Sequence, residues 1–106
     1  MLKDKVVVLT GSAKGIGRYN AQRFAQAGAK VAIADIDTER MAQTLAELED
    51  YGGAAMAVET SVRDEEQVRG LMAAVAERFG GIDILINNAG IVPHLNWGVP
   101  RWPAVR

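Results

Sequence analysis

The stretch Val6-Val7-Val8-Leu9-Thr10-Gly11-Ser12-Ala13-Lys14-Gly15-Ile16-Gly17 decides the fold. An apolar run passes into a glycine-rich turn. Beyond it come a helical stretch as far as Gly28, a second apolar run Val31-Ala32-Ile33-Ala34, and then Asp35. Strand, turn, helix, strand, carboxylate is the order that a dinucleotide-binding βαβ unit requires. A turn from strand into helix leaves the first backbone N–H groups of the helix unpaired. The helix dipole adds positive charge there, which favours a pyrophosphate. Glycine at Gly11, Gly15 and Gly17 keeps side chains away from the phosphates and permits a tight turn. Asp35 lies 18 residues past Gly17, near the roughly 20 expected of the acid that binds the ribose 2′-hydroxyl. A carboxylate there repels a 2′-phosphate and favours NAD over NADP. Lys14 pulls the other way, but as a flexible, solvated side chain it weighs less than a carboxylate at the strand end.

Working outward, 106 residues suffice for one domain and not for two. The chain is 49% apolar and 24% charged, the balance of a globular protein. The net charge is −1 and no basic block stands out, which argues against nucleic acid or an anionic membrane as partner. There is no cysteine, hence no disulfide framework and no thiol chemistry. The single His94 cannot form a zinc site alone, and no metal site is expected. The chain enters its first strand at once, with no signal peptide and no apolar span of 18 residues, so a cytoplasmic location is expected.

The pattern predicts β-α-β-α-β-α-β. Strands are expected over residues 5–10, 30–35, 54–59 and 82–87, and helices over 14–27, 38–51 and 64–79. The first strand lacks polar alternation, as a parallel strand covered on both faces should. In the first helix, Ile16, Phe24 and Ala27 can share the buried face, with Asn20 beside them seeking a backbone partner. In the second, Met41, Leu45 and Leu48 step down one side, with Thr38 as the natural N-cap. In the third, Val68, Leu71, Met72, Val75 and Phe79 form the packing stripe, and Asp64, Glu65 and Glu66 suit the positive end of the helix dipole. Right-handed crossovers then place helices on both faces of a parallel sheet, an α/β Rossmann-type architecture. After Gly90 the composition changes. All three prolines and both tryptophans fall between Ile91 and Arg106, which reads as a loop. The expected division is a dinucleotide-binding unit over 1–91 and a C-terminal loop over 92–106.

The glycine spacing is Gly-x-x-x-Gly-x-Gly, and Asn87-Asn88-Ala89-Gly90 follows downstream. Together these resemble the TGxxxGxG and NNAG motifs of the short-chain dehydrogenase/reductase family, over residues 2 to about 91. The resemblance implies strand order 3-2-1-4 and NAD as cofactor. It places pyrophosphate donors around Ser12 to Gly17, with the backbone of Ile16 foremost. Ser12 has two roles open to it: a hydroxyl contact with the cofactor, or support of the turn. Asp35 would meet the adenosine ribose, and the neighbouring Ile36 counts among the cofactor-binding residues. Ser61-Val62 aligns with the family's Asp-Val pair beside the adenine, Val62 as an apolar wall and Ser61 in place of the aspartate. Asn88, Ala89 and Gly90 would lie beside the ribose, whereas Asn87 reads as a structural amide. The first-helix Asn20 departs from the aliphatic residue usual in the family.

The family's catalytic serine, Tyr-x-x-x-Lys pair and assisting asparagine lie downstream of NNAG. No residue here matches them: Arg23 stands four after Tyr19, and Ala55 four after Tyr51. His94 reads as a solvated loop histidine. The parent reaction is hydride transfer between NAD(H) and an alcohol/carbonyl substrate, and these residues alone are expected to be inactive, as a piece truncated before the catalytic half. The fourth strand would then be an apolar edge. The isolated chain would be marginal, self-associate as a homo-oligomer, or belong to a longer protein. The rival reading is a non-catalytic dinucleotide-binding or dimerisation module. A phosphate loop of the Gly-x-x-x-x-Gly-Lys-Ser/Thr type is absent, because Lys14 precedes Gly15.

Overall fold

The computed structural model of the chain describes residues 2–88. The loop expected over 92–106, with His94, and the site candidates Ala89 and Gly90 lie outside the described residues. Four strands form one parallel sheet in the order β3-β2-β1-β4. They are β1 (Val6–Thr10), β2 (Lys30–Asp35), β3 (Ala55–Glu59) and β4 (Ile84–Asn87), joined by α1 (Gly15–Gln26), α2 (Thr38–Glu49) and α3 (Glu65–Phe79). This is the expected order. In register, Val7 pairs with both Val31 and Ile84, and Thr10 with both Ala34 and Asn87.

Alternate residues of each strand face opposite sides, so the continuous apolar runs feed two cores. Val7, Leu9, Val31 and Ile33 pack with Ala21, Ala25, Met41 and Leu48 beneath α1 and α2. Val6, Val8, Ala32 and Ala34 pack with Val68, Leu71, Met72 and Val75 of α3. The α2 and α3 stripes thus bury as expected, with Leu45 and Phe79 partly covered.

The buried face of α1 differs from expectation. It consists of Gly17, Ala21 and Ala25, whereas Ile16 is 75% exposed and Ala27 is exposed. Phe24 is partly buried. The cause is close approach. A Cβ on Gly17 would stand 2.0 Å from the carbonyl oxygen of Gly11. Small residues four apart let the helix lie directly on the turn and sheet, and the bulky residues are left to its flanks.

Helix α2 starts one residue earlier in its capping than expected. Asp37 is the N-cap and accepts a hydrogen bond from the Arg40 N–H, while Thr38 is already helical. An N-cap must have non-helical backbone, which Thr38 lacks. The helix ends at Glu49, not Tyr51, and the chain turns through Gly52 at φ +83°. In α3, Asp64 is the N-cap, its carboxylate accepting from the N–H groups of Glu66 and Gln67. Strand β4 begins at Ile84, two residues later than expected. Asp83 breaks the run by turning its carboxylate to the Val6 N–H at 2.9 Å. No helix among the described residues is long and apolar enough to cross a membrane.

Candidate functional site

The carboxyl ends of the parallel strands open onto a cavity of about 620 Å³. In an open α/β sheet this is where ligands bind. Its floor is the turn between β1 and α1. Gly11 and Gly15 hold φ of +61° and +63°, a backbone region that costs other residues about 1–2 kcal/mol. The Gly11 N–H reaches the carbonyl of Ala34 at 2.8 Å, tying the turn to β2. At the start of α1, Lys14 is the N-cap, extended at φ −153° and ψ 169°, and supplies no side-chain cap. The first turn carries no acid. The opening N–H groups of α1 therefore meet the cavity with the helix dipole uncompensated by side chains. Lys14, Gly15, Ile16 and Gly17 all line it, with Gly11.

Ser12 does not line the cavity. It is fully buried, and its hydroxyl donates to the Leu9 carbonyl at 2.8 Å and accepts from the Ala34 N–H at 3.2 Å. Of its two open roles, the structure gives it the support of the turn. Thr44 acts similarly from α2: it is buried and donates to the Ala13 carbonyl at 3.0 Å.

Asp35 stands at the end of β2 on the cavity wall. One carboxylate oxygen accepts from the Ala13 N–H at 3.1 Å and the other from the Asp37 N–H at 3.0 Å. A carboxylate has about four acceptor positions, so two hydroxyls can still be bound. Ile36, 68% exposed, follows on the same wall. Thr60, Ser61, Val62 and Arg63 line the same cavity. The Thr60 N–H bonds the Asp35 carbonyl at 3.0 Å, so this loop is attached to the strand that presents the carboxylate. Thr60 and Arg63 were not anticipated from the sequence. Their adjacency to Ser61-Val62 was the available signal, since a loop that contributes two neighbours to a wall presents the flanking residues as well.

The two asparagines differ in their surroundings. Asn87 accepts from the Thr10 hydroxyl at 2.9 Å. Asn88 lines the cavity. Its Oδ1 accepts from Asn20 Nδ2 at 3.4 Å, and its Nδ2 is buried without a partner among the described residues. A buried donor left so costs about 1–3 kcal/mol. A ligand oxygen in the cavity would relieve that. Asn20 was expected to find a backbone partner and instead meets this side chain, which lies within reach because α1 sits so close to the sheet. Tyr19 and Tyr51 stay outside the cavity, their hydroxyls taken by Arg23 at 2.8 Å and Gln26 at 3.1 Å.

The cavity wall thus carries two cations, Lys14 and Arg63, and one carboxylate, Asp35. The perturbed titrating groups lie elsewhere. On the outer surface, two hydrogen bonds from the Arg18 guanidinium hold the Glu47 carboxyl below the usual range, with Gln22 adding a third. The same pairing raises the pKa of Arg18. No group of three or more metal-ligating side chains is present among the described residues. The arrangement suits an elongated ligand with an anionic centre at α1, hydroxyls at Asp35, and a flat apolar end between Ile36 and Val62. An adenosine diphosphate moiety has that form.

Residues 5–101 match the family model described as short chain dehydrogenase. The chain is similar to the galactitol 2-dehydrogenase of Agrobacterium fabrum, at 51% identity over 90 residues, covering 85% of this chain and 34% of that protein. Among solved structures it resembles NAD+-bound xylitol dehydrogenase, with a TM-score of 0.82 and 34% identity, over 85% of this chain and 35% of that one. It also resembles an actinorhodin polyketide ketoreductase solved with NADPH, with a TM-score of 0.79 and 35% identity, over 86% and 36% of the two chains. The chain spans about a third of the length of these relatives. Both nicotinamide cofactors therefore occur among structures of this shape.

Proposed function

The chain belongs to the short-chain dehydrogenase family, and on that premise we propose that its cavity holds NAD(H), as the cofactor-binding unit of an oxidoreductase acting on an alcohol/carbonyl pair. The observation that carries this reading is the start of α1. Its N–H groups have no side-chain cap and open onto the same cavity as Asp35. Gly11, Gly15, Ile16 and Gly17 would surround the pyrophosphate, with Lys14 balancing its charge. Asp35 would accept from the adenosine ribose hydroxyls, held in place by Ala13 and Asp37. Ile36 and Val62 would flank the base, Ser61 would meet its edge, and Asn88 would donate its free Nδ2 hydrogen bond on the far side. When bound, the nicotinamide accepts or supplies hydride. Residues 1–91 form the binding unit in this reading, extending through Ala89 and Gly90, and its setting is cytoplasmic. Nothing in its charge suits nucleic acid.

Asp35 also supports NAD over NADP, because a 2′-phosphate would meet its carboxylate. Titration with both reduced cofactors tests this: NADH should bind more tightly than NADPH, and the reverse order overturns the preference. These 106 residues contain no Tyr-x-x-x-Lys pair to act as proton donor. The purified chain should accordingly bind NADH and leave alcohols unoxidised, with turnover of any alcohol as the contrary result. A second reading is a dinucleotide-binding or dimerisation module without catalysis. A homo-oligomer that forms in proportion to cofactor binding would support it.

A further inference from the structure

We infer that Thr44 of α2 is a positioning residue for the pyrophosphate: its buried hydroxyl holds the glycine turn in the form that receives the anion. This deepens the dinucleotide reading above and rests on it. Thr44 does not line the cavity, so it acts through the backbone of Ala13.

The turn supplies little stiffness of its own. Gly11 and Gly15 both hold positive φ, and glycine loses more conformational freedom on ordering than any other residue. Lys14 adds no side-chain cap. Side chains must therefore hold the turn in place. Ser12 ties its first half to β1 and β2, through the Leu9 carbonyl and the Ala34 N–H. The second half, where turn becomes helix, depends on Ala13. The Ala13 N–H donates to Asp35 at 3.1 Å, and its carbonyl accepts from the Thr44 hydroxyl at 3.0 Å. Ala13 is 2% exposed and Thr44 1%, so no solvent stands ready to replace the hydroxyl.

That bond also sets a direction. A trans peptide is a rigid plane in which the C=O and the following N–H point opposite ways. With the Ala13 carbonyl fixed on Thr44, the Lys14 N–H is turned away from α2. Lys14 and the three residues after it line the cavity. Thr44 thereby orients the peptide from which the uncapped start of α1 follows. Without the hydroxyl, the Ala13 carbonyl is a buried acceptor that has lost its donor, and the peptide gains reason to rotate. Affinity then falls with the fraction of chains that keep the competent turn.

The test is titration of the chain and its variants with NADH and with adenosine, which carries no phosphate, well below each melting temperature. Thr44→Val keeps the shape and deletes the hydroxyl. A turn left competent in about one chain in ten raises the NADH Kd about tenfold, and that is the expected result, with adenosine changed less than about twofold. Thr44→Ser retains the hydroxyl and should retain the NADH affinity of the unaltered chain. If Thr44→Val does not fold, Thr44→Ala replaces it. Thr44→Ala and Thr44→Ser both lack the methyl and differ by the hydroxyl alone, so the alanine variant should bind NADH the more weakly by the same factor. Loss of folding in both hydroxyl-free variants would assign Thr44 to the fold itself and overturn the inference. So would a variant that melts lower yet binds NADH as tightly, or one that loses NADH and adenosine affinity equally. An unaltered chain that binds no NADH overturns the dinucleotide reading itself, a result distinct from all of these.

Discussion

Helix α1 begins with a lysine where α2 and α3 begin with an aspartate. Asp37 and Asp64 each close the opening N–H groups of their helices with a carboxylate. Both helices also carry acid in the first turn. Lys14 does neither for α1. An aspartate N-cap contributes about 1 kcal/mol, and the same chain supplies one twice and omits it once. The omission falls where the helix meets a cavity. Two starts are closed by a carboxylate, and the third leaves its donors uncapped by any side chain.

The largest effect should come from removing the surface on which α1 starts. Gly17→Ala places a methyl 2.0 Å from the Gly11 carbonyl oxygen, and backbone on both sides must shift. We expect a loss of about 1–3 kcal/mol of stability, the usual cost of overpacking, together with NADH affinity lowered by more than about tenfold. Denaturant melts and a cofactor titration would show both. An unchanged affinity would mean that the α1 start is not the pyrophosphate site.

Exchange of the two kinds of helix start should give smaller effects of opposite sign. Lys14→Asp supplies the missing cap and should stabilise the ligand-free chain by about 0.5–1 kcal/mol. It should weaken NADH binding by about tenfold, equivalent to about 1.4 kcal/mol, because its carboxylate occupies the donors and repels the phosphates. Asp37→Ala should cost about 1 kcal/mol and alter NADH affinity little. If Lys14→Asp were neutral in both measurements, α1 would be an ordinary helix start and the contrast would carry no function.

The smallest effect concerns the surface tie between the first two helices. Glu47, beside Arg18 and Gln22, has its carboxyl pKa lowered in the fold. The stability it contributes is therefore present above the ordinary glutamate pKa and is lost as pH falls through the lowered value. Solvent screening keeps it small, since Arg18 is nearly half exposed. Glu47→Gln should lower the melting temperature slightly at neutral pH and not at all in strong acid. A difference that persists in acid would assign the effect to packing.

The sheet was legible because its residues speak locally. Val6 to Leu9 and Val31 to Ala34 are apolar runs bounded by glycine and aspartate, and the structure pairs them with each other. The α3 stripe was legible because large residues at helical spacing have one place to go. The α1 face was not, because it is made of Gly17, Ala21 and Ala25, whose smallness is the packing device. Hydropathy ranks Ile16 above all three, yet Ile16 faces the cavity. Polar roles were similarly hidden. Ser12, in a phosphate turn, had two roles open to it in sequence, and its hydroxyl bonds the backbone of β1 and β2. Arg63 gave no signal of its own. Among the described residues the five other arginines pair with an acid or lie over a ring, which no linear reading reveals.

Asp35 has a consequence for redesign. Its carboxylate bridges the Ala13 and Asp37 backbone amides, so the residue that would discriminate cofactors is also a strut between the glycine turn and the mouth of α2. A substitution chosen to admit a 2′-phosphate removes the brace along with the repulsion. On the NAD reading, cofactor exchange here would require at least two changes, one to admit the new group and one to rebuild the scaffold. A single-residue swap would give a loosened site and not a converted one.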